Sequence, residues 1–185
     1  MEADDDFVAT LDGVLADAVA YEAARARAQE RTLRAVAESE ATLAGVVVDL
    51  VEQRTPIVAR TASGRAHRGR LLAAGRDFLV VRDGANPPAI LALAALSSIR
   101  PQPGARHGDT TGDRVAPWSV SLAALLAELS GDRPRVQVVV TGDDAVTGEL
   151  RAVGRDVLTI RTDGGGNLVV YARIGAVCEV VLFDL

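Results

Sequence analysis

Lysine is absent from this chain of 185 residues, cysteine occurs once, and aromatic residues make up only 3% of the sequence. The single cysteine, Cys178, excludes an internal disulfide and is typical of a protein in a reducing compartment. No apolar run approaches the ~20 residues of a membrane-spanning helix, and the acidic N-terminus is unlike a signal peptide. We therefore expect a cytoplasmic protein that does not enter a membrane, with a core of Val, Leu, Ile and Ala.

Residues that carry chemistry are also scarce. His67, His107 and Cys178 stand in no spacing that is typical of a metal site, and two histidines offer no hydroxyl–His–acid triad. The glycine run at 164–166 lies between two predicted strands, which favours a flexible hairpin over a phosphate-binding loop. We expect no catalytic residues, no metal and no cofactor, and hence a protein that is not an enzyme.

Charge is distributed unevenly along the chain. Residues 1–54 carry a net charge of −7, and residues 55–100 carry +5. Such an asymmetry can mark a docking surface for a partner. It is equally expected if the acidic segment lies against the basic one, in the same molecule or in a partner subunit.

An internal repeat is the strongest signal in the sequence. Residues 69–82 recur as residues 148–161 at a constant offset of 79, with Gly-x-Leu, Gly-Arg-Asp, a second Leu and a final Arg in register. A repeat of this kind indicates two copies of one small structural unit. In each copy two leucines fall at inward positions of the predicted strands, and we expect all four to be buried: Leu71, Leu79, Leu150 and Leu158.

The N-terminal region predicts helices. Apolar residues recur at steps of four and three along the first turns, which predicts a helix to about residue 37 that packs on other helices or on the rest of its own chain. A second helix is expected over 39–53, with Ser39 as its N-cap and Pro56 beyond its end. The first stripe is a candidate oligomer contact, and it consists of Phe7, Leu11, Val14, Ala18 and Tyr21.

Each copy of the repeat reads as one helix followed by five short antiparallel strands with hairpin turns. A sheet that short closes on itself to bury one face. The predicted fold is therefore α+β, with two small five-stranded SH3-like or Sm-like β-barrels, each preceded by a helix, behind a long N-terminal helix. The predicted segments are a helical arm (1–38), a first barrel (39–100), a linker with a mobile stretch at 106–109 (101–117) and a second barrel (118–185).

The order of elements in each copy resembles the Sm-like (LSm/Hfq-type) barrel. This order is a helix, the G-x-L-x-x-x-G-x-D-x-L motif, a hairpin, a one-turn helix and a last strand. The whole chain also resembles an actinobacterial family with an N-terminal helical arm and two such barrels. The resemblance implies RNA binding and ring formation through strand edges. However, Leu79 and Leu158 occupy the position of the RNA-contacting Asn, so the uridine pocket of the Sm family is absent from both copies.

A basic concentration lies in the first barrel. Its members could contact phosphates of a nucleic acid, dock the acidic arm, or simply protect solvated strands with charge. We predict a non-enzymatic interaction or assembly module that forms a homo-oligomer, with the protein partner left open and nucleic-acid binding as the alternative. The candidate residues are Arg65, His67, Arg68, Arg70, Arg76 and Arg82.

Overall fold

The computed structural model describes residues 2–163 and 168–183, with side chains from residue 19 onward. The helices are α1 (Glu2–Glu40), α2 (Leu43–Glu52) and α3 (Leu122–Leu129), and single 3-10 turns lie at Leu93–Ala95, Ser130–Asp132 and Ile174–Ala176. The strands are β1 (Pro56–Thr61), β2 (Ala66–Ala74), β3 (Phe78–Arg82), β4 (Ala89–Ala92), β5 (Leu96–Pro101), β6 (Arg135–Val140), β7 (Ala145–Val153), β8 (Val157–Thr162), β9 (Val169–Arg173) and β10 (Val177–Leu182). The chain forms two compact units, residues 1–41 and residues 42–185.

The first unit is helix α1, which contains no proline and carries an exposed Arg34–Glu38 ion pair one turn apart, with Nε and Oε1 3.3 Å from each other. Of the predicted oligomer stripe, Phe7, Leu11, Val14 and Ala18 lie outside the residues whose side chains are described. Tyr21 is 70% exposed within the chain. Its burial in an oligomer therefore stays a prediction.

The break between the first two helices lies later than the sequence predicted. Helix α1 continues through Ser39, whose hydroxyl donates to the carbonyl of Val36. Thr42 has an extended backbone, and its side-chain oxygen accepts a 3.0 Å hydrogen bond from the amide of Gly45. The N-cap of α2 is therefore Thr42, because that is where the chain leaves helical geometry and a hydroxyl can satisfy a free amide.

The ten strands form one open antiparallel sheet in the order β5-β1-β2-β3-β4-β10-β6-β7-β8-β9. We call β1–β5 the first half-sheet and β6–β10 the second half-sheet. The predicted closure of each half into a separate barrel is not seen among the described strands. Strand β4 pairs instead with β10 of the other half, so its hydrogen-bonding edge is occupied by a neighbour from the second repeat.

Apolar side chains fill two core clusters. One joins α2 to the first half-sheet, and the other joins α3 to the second half-sheet and to Phe78, Ile90 and Ala92 of the first. Leu79, Leu150 and Leu158 are buried, as the repeat predicted. Leu71 is only partly buried and packs against the edge of its cluster.

The two repeated Gly-x-Leu glycines sit where the backbones of adjacent strands approach closely. A Cβ on Gly69 would lie 2.1 Å from the carbonyl oxygen of Arg82, and a Cβ on Gly148 would lie 2.1 Å from that of Arg161. No side chain fits at that distance. Both glycines therefore permit the close approach of neighbouring strands at this point of β2 and β7.

The sequence predicted a linker over 101–117 with a mobile stretch at 106–109. In the structure, this linker is hydrogen-bonded to α2 and to the residue that follows it. The carboxylate of Asp49 is buried, accepts a 3.0 Å hydrogen bond from the amide of Gly112, and lies 3.3 Å from Nε of Arg114. The amide of Gly108, within the stretch expected to be mobile, donates to the side chain of Gln53 at 2.9 Å. An acidic residue on the apolar helix α2 thus has a structural role that composition does not reveal.

Candidate assembly interface

Strands β4 and β10 join the two half-sheets, and we call their pairing the inner joint. The register places Glu179 opposite Leu91, Val180 opposite Ile90 and Val181 opposite Ala89. Strand β10 is rich in β-branched residues, which suit a strand that is covered on both faces. The inner joint is therefore a continuous part of the sheet and not a surface contact between two finished barrels.

The apolar part of the inner joint is well buried. Ile90 is 2% exposed and its partner Val180 is fully buried. Both belong to a cluster that also contains Phe78 from β3 and Leu126 from α3. This core therefore crosses the inner joint and contains buried residues of both repeats.

A buried carboxylate links the two half-sheets at the same joint. Glu179 is 1% exposed, and its oxygens lie 3.3 Å from Nη1 of Arg65 and 2.6 Å from Nε2 of His67. Nε of Arg65 also donates a 3.0 Å hydrogen bond to Asp143. Chiefly because of this bond, the pKa of Arg65 is raised further above its ordinary value. A buried charge needs such partners, because a lone carboxylate at that depth would be strongly unfavourable.

The sequence-predicted basic set is therefore divided by the structure. Arg65 and His67 belong to the inner joint and are paired with acids of the second repeat. The other four members are exposed: Arg68, Arg70, Arg76 and Arg82. The sequence reading missed Glu179, although a single acid inside the apolar strand Val177–Leu182 is a signal of a buried ion pair.

Asp77 forms a second polar link between the two repeats. Its Oδ1 accepts a 2.7 Å hydrogen bond from the amide of Leu122, the first residue of α3, and the amide of Arg76 donates to the carbonyl of Val120 at 2.8 Å. A carboxylate is favourable at a helix N-terminus because it meets free amides and the positive end of the helix dipole. In the first copy, the acid of the repeated Gly-Arg-Asp motif therefore caps a helix of the other repeat.

The outer edges of the sheet are the repeat counterparts of the inner joint. Strand β9 corresponds to β4, and β5 corresponds to β10. Each pairs on one side only among the described strands. The difference in burial is large, because Tyr171 of β9 is 72% exposed whereas its counterpart Ile90 is 2% exposed.

The polar link of the inner joint also has a counterpart at the outer edge. Asp156 corresponds to Asp77, is exposed, and makes no side-chain hydrogen bond to a described residue. Leu43, at the start of α2, corresponds to Leu122. Its amide has no acceptor within the described part of the chain. The second repeat thus has a carboxylate without a partner and the first has a helix start without one, and no hydrogen bond joins the two among the described residues.

Comparisons with protein-family models, with curated proteins and with solved structures find no match. None of the described helices is long and apolar enough to cross a membrane. Within residues 2–163 and 168–183, no group of three or more His, Cys, Asp or Glu side chains is arranged to hold a metal ion. The inner joint and its unpaired counterparts are therefore the features from which a function can be argued.

Proposed function

We propose that this protein is a non-enzymatic cytoplasmic assembly module whose copies join through their outer strand edges, β9 of one copy against β5 of the next. The two half-sheets act as tandem Sm-like units in this proposal. The element order of each half, a helix, four strands, a one-turn helix and a last strand, supports that reading. The burial of Cys178 as a free thiol supports a reducing compartment.

One observation carries the proposal: the chain already contains the joint that it would repeat. Strand β4 is sealed by β10, and the counterparts of these two strands are the edges left unpaired. An unpaired edge exposes a row of backbone donors and acceptors that favours pairing with another strand. Because β9 and β5 are different surfaces, the contact is head-to-tail and generates a closed ring or an open filament.

The register of the outer contact follows from the inner one. By the repeat, Val180 opposite Ile90 becomes Ile99 opposite Tyr171, and Val181 opposite Ala89 becomes Arg100 opposite Val170. Tyr171 would then gain an apolar neighbour, and its ring would leave water. Aromatic and β-branched cross-strand pairs stabilise sheets by roughly 0.2–1 kcal/mol each.

Light scattering during size-exclusion chromatography tests the proposal. We expect the wild-type mass to be a multiple of 19.3 kDa and the Tyr171→Lys variant to be smaller. Val115→Lys is the matched control, since Val115 is 90% exposed and lies outside the ten strands, between β5 and α3. A monomeric wild-type protein at high concentration contradicts the proposal. An oligomer that survives Tyr171→Lys but is lost on deleting residues 1–37 assigns assembly to the arm and also contradicts it.

Nucleic-acid binding is the second candidate, favoured by the exposed arginines of the first half-sheet. Arg68, Arg70, Arg76 and Arg82 form no ion pair with any residue that the structure describes, so their charge is available to phosphates. Changing Arg68 and Arg70 together to Gln should weaken binding to RNA or DNA alike across sequences and reduce its salt dependence. Absence of low-salt binding by the wild-type protein would end this candidate.

A further inference from the structure

Two arginines face each other across adjacent strands of the first half-sheet. Arg70 of β2 and Arg82 of β3 are in direct register, so their side chains leave the same face of the sheet with Cβ atoms about 5 Å apart. Like charges in that arrangement repel each other. Neither guanidinium lies within ion-pair distance of an acid in the described part of the chain.

The second half-sheet shows how the same position is neutralised internally. The counterparts of Arg70 and Arg82 are Glu149 and Arg161, which are also in register. Glu149 forms ion pairs with Arg161 and with Arg151, the latter at 2.9 Å. At this position the second half-sheet therefore neutralises its arginines with its own glutamate. The first half-sheet has two arginines there without an acidic partner among the described residues, and both can bind an anion from outside the chain.

The arginine pair lines a cleft of about 370 Å³. The volume lies within the range of small-molecule sites, roughly 300–1,000 Å³. Asp83 lines the same cleft without forming an ion pair with either arginine, so the three side chains together stay positive. Pro56 and Leu72 add apolar surface, and a Cβ on Gly84 would meet nothing within 4 Å, so the backbone there is open to approach.

We propose that this cleft binds the phosphate group of a small molecule, with Arg70 and Arg82 as its ligands. A guanidinium presents a planar set of donors that matches phosphate oxygens, and two of them on one face can hold a tetrahedral anion from two directions. Pro56 and Leu72 then contact the organic part of the ligand. The proposed ligands Arg70 and Arg82 lie on β2 and β3, not on the edge strands, and the proposal goes beyond the assembly function.

Titration of the full chain with inorganic phosphate, followed by NMR of the arginine side chains, tests the proposal. Sodium chloride holds the ionic strength constant, and acetate serves as a second anion. We expect saturable shifts of the Nε–Hε signals of Arg70 and Arg82 with phosphate and weaker ones with acetate. Equal shifts in chloride and phosphate, or no shift at either arginine, would overturn the proposal.

The repeat supplies a matched pair of variants. Arg70→Glu copies the internally neutralised arrangement of the second half-sheet, so it should keep the fold and weaken phosphate binding at least about tenfold. Glu149→Arg copies the first half-sheet and should create phosphate-dependent shifts at Arg161. Circular dichroism spectra of both variants check that they are folded. Undiminished phosphate binding by folded Arg70→Glu protein would contradict the assignment.

A phosphate group can also belong to a nucleic-acid backbone, and a third titration distinguishes that source. A ten-nucleotide RNA replaces inorganic phosphate under the same conditions. Shifts confined to Arg70 and Arg82 with inorganic phosphate, and none with RNA, support the small-molecule site. RNA-dependent shifts that extend to Arg68 and Arg76 overturn it in favour of the nucleic-acid candidate.

Discussion

The inner joint and the outer edges of this sheet are built from the same repeated elements but differ in their surroundings. Strands β4 and β10 are covered, and β10 carries a buried carboxylate, whereas β9 and β5 carry exposed side chains. In the repeat, the exposed strands β9 and β5 occupy the positions of β4 and β10. The comparison also shows a limit, because the counterpart of Glu179 is Ser98. An outer contact would therefore lack the ion pairs of the inner one and should be weaker and more easily reversed.

The largest expected effect concerns the repeated leucines. Leu150→Ala should lower the free energy of unfolding by about 2–5 kcal/mol, the range for truncating a buried leucine. Leu71→Ala should cost less, because Leu71 is only partly buried. Urea unfolding of both variants measures the difference. Equal costs would show that the two half-sheets are packed alike, contrary to the burial seen here.

The buried carboxylate of the inner joint gives the next effect. Glu179→Gln removes the charge that faces Arg65 and His67, and should destabilise the chain by about 2 kcal/mol, typical of hydrogen bonds to charged groups. Asp144→Asn is the control, since Asp144 is exposed and forms no ion pair with a described residue. A Glu179→Gln protein as stable in urea as its control would show that the ion pairs contribute nothing to the joint.

The two repeated aspartates separate folding from assembly. Asp77→Ala should lower the free energy of unfolding by about 1 kcal/mol, because it removes a helix cap. Asp156→Ala should leave the stability of the monomer unchanged, since the side chain of Asp156 bonds no described residue, and should weaken self-association instead. Unfolding and sedimentation velocity measure the two effects. If Asp156→Ala leaves association unchanged, then Asp156 does not bond the start of α2 in a neighbouring copy.

The smallest effect is on the pH dependence of stability. Hydrogen bonding from Arg151, with the charge of Arg161, holds the pKa of Glu149 below its ordinary value of 4.5. Because the folded-state pKa is depressed, this contribution is present above the unfolded pKa and is lost as pH falls through the folded one. Glu149→Gln should therefore lose less stability than wild type on acidification below pH 4.5. Parallel acid profiles would show that the exposed pair is too well screened to matter.

The sequence predicted the local structure well where the signal is local. Three of the four leucines that the repeat predicted to be buried are buried, since the alternation of side chains is a property of a short segment. The start of α2 was placed too early because Ser39 and Thr42 are both acceptable caps. Only the backbone geometry at Thr42 distinguishes them.

Long-range pairing could not be predicted in the same way. The predicted closure of each half into its own barrel is not confirmed among the described strands, where β4 pairs with β10. The sequence pattern of β4 does not reveal which strand lies beside it. Arg65 and His67 looked like free surface charges for a related reason. Their partner Glu179 lies more than a hundred residues away and becomes a partner only after the two half-sheets join.

Cysteine cross-linking between copies tests the central claim most directly. In one chain Ile99 and Tyr171 lie on opposite edges of the sheet, so a disulfide between Ile99→Cys and Tyr171→Cys can form readily only where two copies pair in the expected register. Directly opposed residues of antiparallel strands have Cα atoms about 4.5–5.5 Å apart, which suits a disulfide. We expect a ladder of multiples of 19.3 kDa on a non-reducing gel. The absence of that ladder, or an equal ladder from Ile99→Cys combined with Val115→Cys, would contradict edge-to-edge assembly.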